Sequence, residues 1–162
     1  MQYRRLICIS VLLGASLGPV SAETGMTRQA LLATLDALHQ RQAEIAALAE
    51  QRAERAEVRD LADALRQDHR ILDEWLDQAA EGNTDDATAN LPGSEAYQQL
   101  QTLEGEEFDA AFLRYQAQFH EQTLTLLEQN RPEDSALSSY TNLLKVTHEA
   151  MRKHLALIQA ER

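Results

Sequence analysis

Beyond its first two dozen residues the chain has no cysteine; the single one is Cys8. Disulfides and thiolate metal sites are therefore excluded from the body of the protein. No apolar run after residue 22 is long enough to cross a membrane, which takes about 20 residues. Positive charge is scarce too, with 15 Lys and Arg against 26 Asp and Glu. A chain with that balance and no basic stripe repels nucleic acid and anionic lipid. Glycine-rich phosphate loops and a nucleophile elbow are missing as well, so the motifs that announce nucleotide binding or serine hydrolysis do not occur.

What is present begins with an export signal. Arg4 and Arg5 precede an apolar run from Leu6 through Leu17, and Val20-Ser21-Ala22 places small residues around a cleavage point. The run is short for a membrane anchor and contains Gly14 and Gly18. Cys8 lies too far ahead of the cut to be a lipoprotein cysteine, and the surroundings of the arginine pair fit a twin-arginine signal poorly. The expectation is a signal peptide over residues 1–22, a periplasmic location, no membrane anchor after removal, and a single domain over 23–162. Arg4 and Arg5 are the only charged residues in the signal, so its loss leaves a net charge of −13.

Four segments carry helical spacing. Leu31, Leu35, Leu38, Ile45 and Ala49 mark the first, from about Thr27 to Ala53. Val58, Leu61, Leu65, Leu72, Leu76 and Ala79 mark the second, from about Ala56 to Glu81. The third, from about Glu106 to Asn130, carries Phe108, Phe112, Tyr115, Phe119 and Leu126. The fourth, from about Glu133 to Ala160, carries Leu137, Tyr140, Leu144, Met151, Leu155 and Ile158. Steps of three and four residues put each set on one side of a helix.

Pro132 suits a first helical turn. Gly82-Asn83-Thr84-Asp85-Asp86 stops the second segment, Leu91-Pro92-Gly93 cannot continue a helix, and a short helix capped by Ser94 can follow to Leu103. The turn near Arg55 has neither Gly nor Pro, so one continuous rod competes with a hairpin there. Packed together, the four segments predict an all-α four-helix bundle, ferritin-like, with one long connection between the second and third helices.

Every segment carries histidine: His39, His69, His120, His148 and His154. Counted from hairpin turns at Arg55 and Pro132, at about 1.5 Å per residue, the first four fall near mid-height and His154 nearer one end. Neutral imidazole is a common ligand of zinc, copper and iron, and bundle cores hold such sites. All five are candidate metal ligands on that ground. The competing reading has each imidazole snorkelling or bonded to its own neighbour. His148, Met151 and His154 recur at steps of three, a thioether-imidazole set suited to Cu(I), although Met151 also fits the apolar stripe. The Glu-x-x-His pairs of di-iron oxidases are absent; Asp36-x-x-His39 comes nearest, and Glu44 is the best inward-leaning acid of the first segment.

These residues resemble those of the exported bacterial domain-of-unknown-function family numbered 4142, placed among ferritin-like bundles. The likeness runs from about Leu31 to Ile158. It is carried by Glu44, by Val58 through Asp68-His69, by Gly105-Glu106-Glu107-Phe108-Asp109 leading to His120, and by His154-Leu155. Phe112 and Glu149 stand where that family often has Tyr and Pro, and His39 and His148 fall outside its pattern. The resemblance implies the fold and export, supports His69, His120 and His154, and implies no activity. Depth instead favours His39, His69, His120 and His148. The expected function is a periplasmic metal-binding module, the alternative a metal-free structural or stress-related interaction module. An enzyme ranks last, because no catalytic motif accompanies the histidines.

Overall fold

The structure, a computed structural model, describes residues 26–79, 93–132 and 138–162. The expected signal peptide over residues 1–22, the expected turn at Gly82–Asp86, Leu91-Pro92 and Leu137 lie outside the described residues. Within them the protein is all-α, with no strand. The helices are α1 (Arg28–Arg52), α2 (Ala56–Ala79), α3 (Ser94–Gln101), α4 (Gly105–Gln129) and α5 (Ser139–Ala160).

Local chemistry sets several of these ends. Thr27 caps α1, its hydroxyl accepting from the Ala30 amide at 3.2 Å. Ser138 caps α5 in the same way, accepting from Thr141 at 3.0 Å. Each satisfies an amide that the first helical turn leaves unpaired. The cap of α3 is Gly93, with φ +82°, and not Ser94, which is the first helical residue. A side chain at Gly93 would also collide with Tyr115, since a Cβ there stands 2.5 Å from the Tyr115 hydroxyl. Pro132 is not helical.

The chain breaks between α1 and α2 without Gly or Pro because another helix fixes the turn. The buried Asp109 carboxylate on α4 accepts from the amides of Glu54 at 3.0 Å and Arg55 at 2.9 Å. Arg59 closes the same turn from α2, donating to the Ala53 and Glu54 carbonyls. Asp109 thus fixes the turn that leads into α2 from over fifty residues away in sequence. Asp109→Ala takes the charged acceptor from two amides of this turn, and a hydrogen bond to a charged group is worth about 2 kcal/mol. The melting temperature is expected to fall by roughly 6–8 °C, readable by circular dichroism.

The long helices form a closed cycle of contacts: α1 packs on α2, α2 on α5, α5 on α4 and α4 on α1. Their buried apolar residues divide into two clusters. One is built by Ile45 to Ala53, Val58 to Leu65, Leu100, Phe108 to Ala117 and Ile158. The other holds Leu31 to Leu35, Leu72, Leu76, Phe119, Leu127, Leu143, Leu144 and Met151. Along the chain α1 passes from the second cluster to the first, α2 and α4 from the first to the second, and α5 back to the first. So α1 and α2 are antiparallel, as are α4 and α5, whereas α2 and α4 run the same way. α2 ends on the second cluster and α3 rests on the first through Leu100 and Tyr97. No helix of the described residues is long and apolar enough to cross a membrane.

Candidate metal centre

The border between the two clusters is polar. Each long helix delivers a buried histidine there: His39 from α1 between Leu35 and Ile45, His69 from α2 between Leu65 and Leu72, His120 from α4 after Ala117, and His154 from α5 between Met151 and Ile158. His39, His69 and His120 are 0 % exposed and His154 is 1 % exposed. Histidine is costly in such a place unless its ring nitrogens find partners.

Three of the rings make a nearly equilateral triangle. The centroid separations are 5.6 Å for His69–His120, 5.3 Å for His69–His154 and 5.3 Å for His120–His154. One ring nitrogen from each lies within 4.8 Å of the other two. For comparison, imidazoles bound to one tetrahedral ion at about 2.0–2.1 Å have centroids about 5.2 Å apart and nitrogens about 3.3 Å apart.

The neighbours of these rings decide which nitrogens are free. His120 Nδ1 donates to the Gln116 carbonyl one turn earlier, at 2.7 Å. His154 Nε2 donates to Asp68 Oδ2 at 2.9 Å. Carbonyl and carboxylate oxygens only accept, so both protons sit on those nitrogens. A neutral imidazole carries one N–H, which leaves His120 Nε2 and His154 Nδ1 as bare lone pairs. These two atoms face each other at 3.3 Å. Two lone pairs at that distance repel unless a proton or a cation lies between them.

Burial makes protonation unfavourable. It pushes His120 down to about 3 against the modest opposing pull of the Gln116 carbonyl. It also lowers His154, where the Asp68 carboxylate works in the other direction. His69 is driven well below its ordinary value by burial and by the neighbouring rings, and His39 is pushed to about 3 by burial and by His154. The rings are therefore neutral at pH 7, the state in which imidazole ligates metal. Burial alone would raise Asp68, but the His154 N–H and the Lys153 ammonium at 3.3 Å hold its carboxyl below the ordinary range.

His39 joins through a different contact. Its Nδ1 lies 2.8 Å from Nδ1 of His69. One of the two must donate. The donor ring then has a bare Nε2, and the acceptor ring carries its proton on Nε2. Both Nε2 atoms are buried without a hydrogen-bond partner. When His69 is the donor, its Nε2 becomes a third free lone pair beside those of His120 and His154.

A family model described as "Domain of unknown function (DUF4142)" matches residues 15–160. The chain belongs to this family. No curated protein and no solved structure matches it.

The DUF4142 resemblance and the helix-depth count had nominated different histidines, and the structure gathers four of the five. His69, His120 and His154 converge, with His39 bonded to His69. His148 does not join them. It lies on the surface, flanked by Glu128 at 3.7 Å and Glu149 at 3.8 Å. The set of His148, Met151 and His154 is accordingly not assembled, because Met151 packs in the second apolar cluster. Glu44 is exposed and paired with Arg41 at 2.6 Å, so it does not lean inward. Asp36 is buried, but its partners are Gln40 and Asp73. Asp68 enters the sequence reading only as part of the family likeness, with no role given to it, and Gln116 is not singled out there, since its contribution is a backbone carbonyl that no side-chain pattern marks.

Proposed function

We propose that this DUF4142 protein binds one divalent transition-metal ion through His69, His120 and His154, inside a ferritin-like four-helix bundle that is exported to the periplasm. The observation that carries the metal reading is the pair of bare lone pairs, His120 Nε2 and His154 Nδ1, held 3.3 Å apart by their other hydrogen bonds. Ligating histidines are commonly oriented in this manner, with the second ring nitrogen donating to a carboxylate or a backbone carbonyl. An all-nitrogen set at tetrahedral spacing suits zinc best, with copper next. Iron of the di-iron kind is disfavoured, since the converging group contains no carboxylate ligand. The bundle topology is supported by the cycle of helix contacts and by the change of ends between α2 and α3.

A second reading is a metal-free structural module in which the rings bond to one another. The His39–His69 contact favours it, because it needs no ion. Elemental analysis of the purified protein, equilibrated with zinc or copper and freed of excess ion, separates the two. About one ion per chain is expected for the natural sequence and for His148→Ala, and less than about a tenth of that for His120→Ala and His154→Ala. Equal metal in all four would remove the proposed ligand set.

A further inference from the structure

The same polar layer contains two glutamine side chains that no part of the metal reading uses. Gln42 lies on α1 one turn from His39, and Gln116 on α4 one turn from His120. Both are 0 % exposed. Both fall on the first-cluster side of the histidines, since Ile45 follows Gln42 and Phe112 precedes Gln116. Gln42 Nε2 donates to the Tyr115 hydroxyl at 2.8 Å, which holds that amide in place. Its Oε1 has no partner, and neither does Nε2 nor Oε1 of Gln116. Three unpaired amide atoms in a core are expensive to keep, and leucine would fill either position without that cost.

The histidine geometry supplies a use for them. Only three rings converge within reach of one another. His39 is held off by its Nδ1 contact with His69. An ion with three protein ligands keeps a fourth position for an outside ligand, whereas purely structural zinc sites close with four.

We propose that the centre keeps one coordination position for a ligand of a few atoms, water or hydroxide, and that the amides of Gln42 and Gln116 hold it. The unpaired atoms are one NH2 donor group, on Gln116, and two carbonyl acceptors, which suits a ligand that both accepts and donates. Full burial limits it to a few atoms. This inference rests on the metal reading, and the two can fail separately.

The test is azide titration of the cobalt(II)-loaded full chain, followed by visible absorption, with cobalt content measured on the same samples. The natural sequence is expected to carry one cobalt and to change its spectrum saturably with azide. Gln116→Leu is expected to keep its cobalt and, without the Nε2 donor, to bind azide at least about tenfold more weakly, whereas Gln42→Leu removes only an acceptor that azide cannot use and is expected to keep its cobalt and bind azide at least as tightly as the natural protein. Gln116→Leu should also melt no lower than the natural protein when metal-free, which shows that the variant folds. Stoichiometric cobalt with no azide response would overturn the open position while leaving the metal reading intact. Unchanged azide affinity in Gln116→Leu, or weaker azide binding in Gln42→Leu, would overturn the role of the amides. A protein that takes up no cobalt would overturn both readings together.

Discussion

Zinc added to the metal-free protein is expected to raise its melting temperature by roughly 12–16 °C at a free concentration a thousand times the dissociation constant. The size follows from linkage. Only the folded chain brings His69, His120 and His154 together, so binding stabilises it by about 4 kcal/mol at that concentration. In a domain of this length each kcal/mol is worth about 3–4 °C. Magnesium, which prefers oxygen ligands, should give no shift. His120→Ala removes one of the three converging nitrogens and should reduce the zinc shift to less than about 2 °C.

Asp68→Asn is the finer probe. The asparagine side-chain oxygen can still accept from His154 Nε2, so ring position and tautomer are kept, but the negative charge beside the ring is lost. Changes to such outer partners cost about 10–100-fold in metal affinity. At fixed zinc the shift should shrink by about 4–10 °C. A shift equal to that of the natural protein would mean that the Asp68 charge has no part in zinc binding. If neither Asp68→Asn nor His120→Ala altered the zinc response, zinc would be binding elsewhere on this acidic surface.

Much of this architecture was legible in the residues, and the misses have definite causes. The four long helices follow from apolar residues at steps of three and four, and their observed bounds lie close to the expected ones except at the start of the fourth, expected near Glu133, where the Ser138 cap begins α5 at Ser139. The hairpin at Arg55 could not be chosen over a continuous rod from local pattern, because the residue that fixes it, Asp109, comes from another helix. All five histidines were candidates, and the depth count alone grouped His148 instead of His154 with the other three, because of its reference point. His120 and His154 are equidistant from position 137, not from Pro132. Moving the midpoint of a hairpin by five residues moves the expected partner by ten, enough to pass over His148 and reach His154. The first hairpin gave no such error, since His39 and His69 are equidistant from Glu54, beside the assumed turn. Tautomers were beyond reach altogether, since they depend on a backbone carbonyl and on a carboxylate from a neighbouring helix.

Acid should unfold the metal-free protein far above the pH at which carboxylates protonate. The unfolded chain presents histidines that titrate near 6.5, whereas the folded chain holds His39 and His120 at about 3 and His69 and His154 below their ordinary value, chiefly through burial. A group whose folded pKa is depressed contributes fully above its unfolded value, and that contribution is lost as pH falls toward the folded value. The window thus opens near pH 6.5 and runs down to about 3. At pH 5, His39 and His120 together account for a loss of about 4 kcal/mol, and His69 adds to it. That is a large share of the roughly 5–15 kcal/mol that holds a typical domain together. Asp73 acts against this trend. Burial and the nearby carboxylates of Asp36 and Asp77 raise it to about 7, so the folded state gains from its protonation as pH falls from there toward 3.8. One half-buried carboxyl offsets part of the cost of four buried rings but not the whole. Urea midpoints measured at pH 7.5 and pH 5 without metal should therefore fall steeply on acidification. His39→Leu should flatten the dependence by about 2 kcal/mol over that interval. Equal midpoints at the two pH values would mean that the rings are solvated and ionisable in the folded chain, contrary to a layer sealed between two apolar clusters.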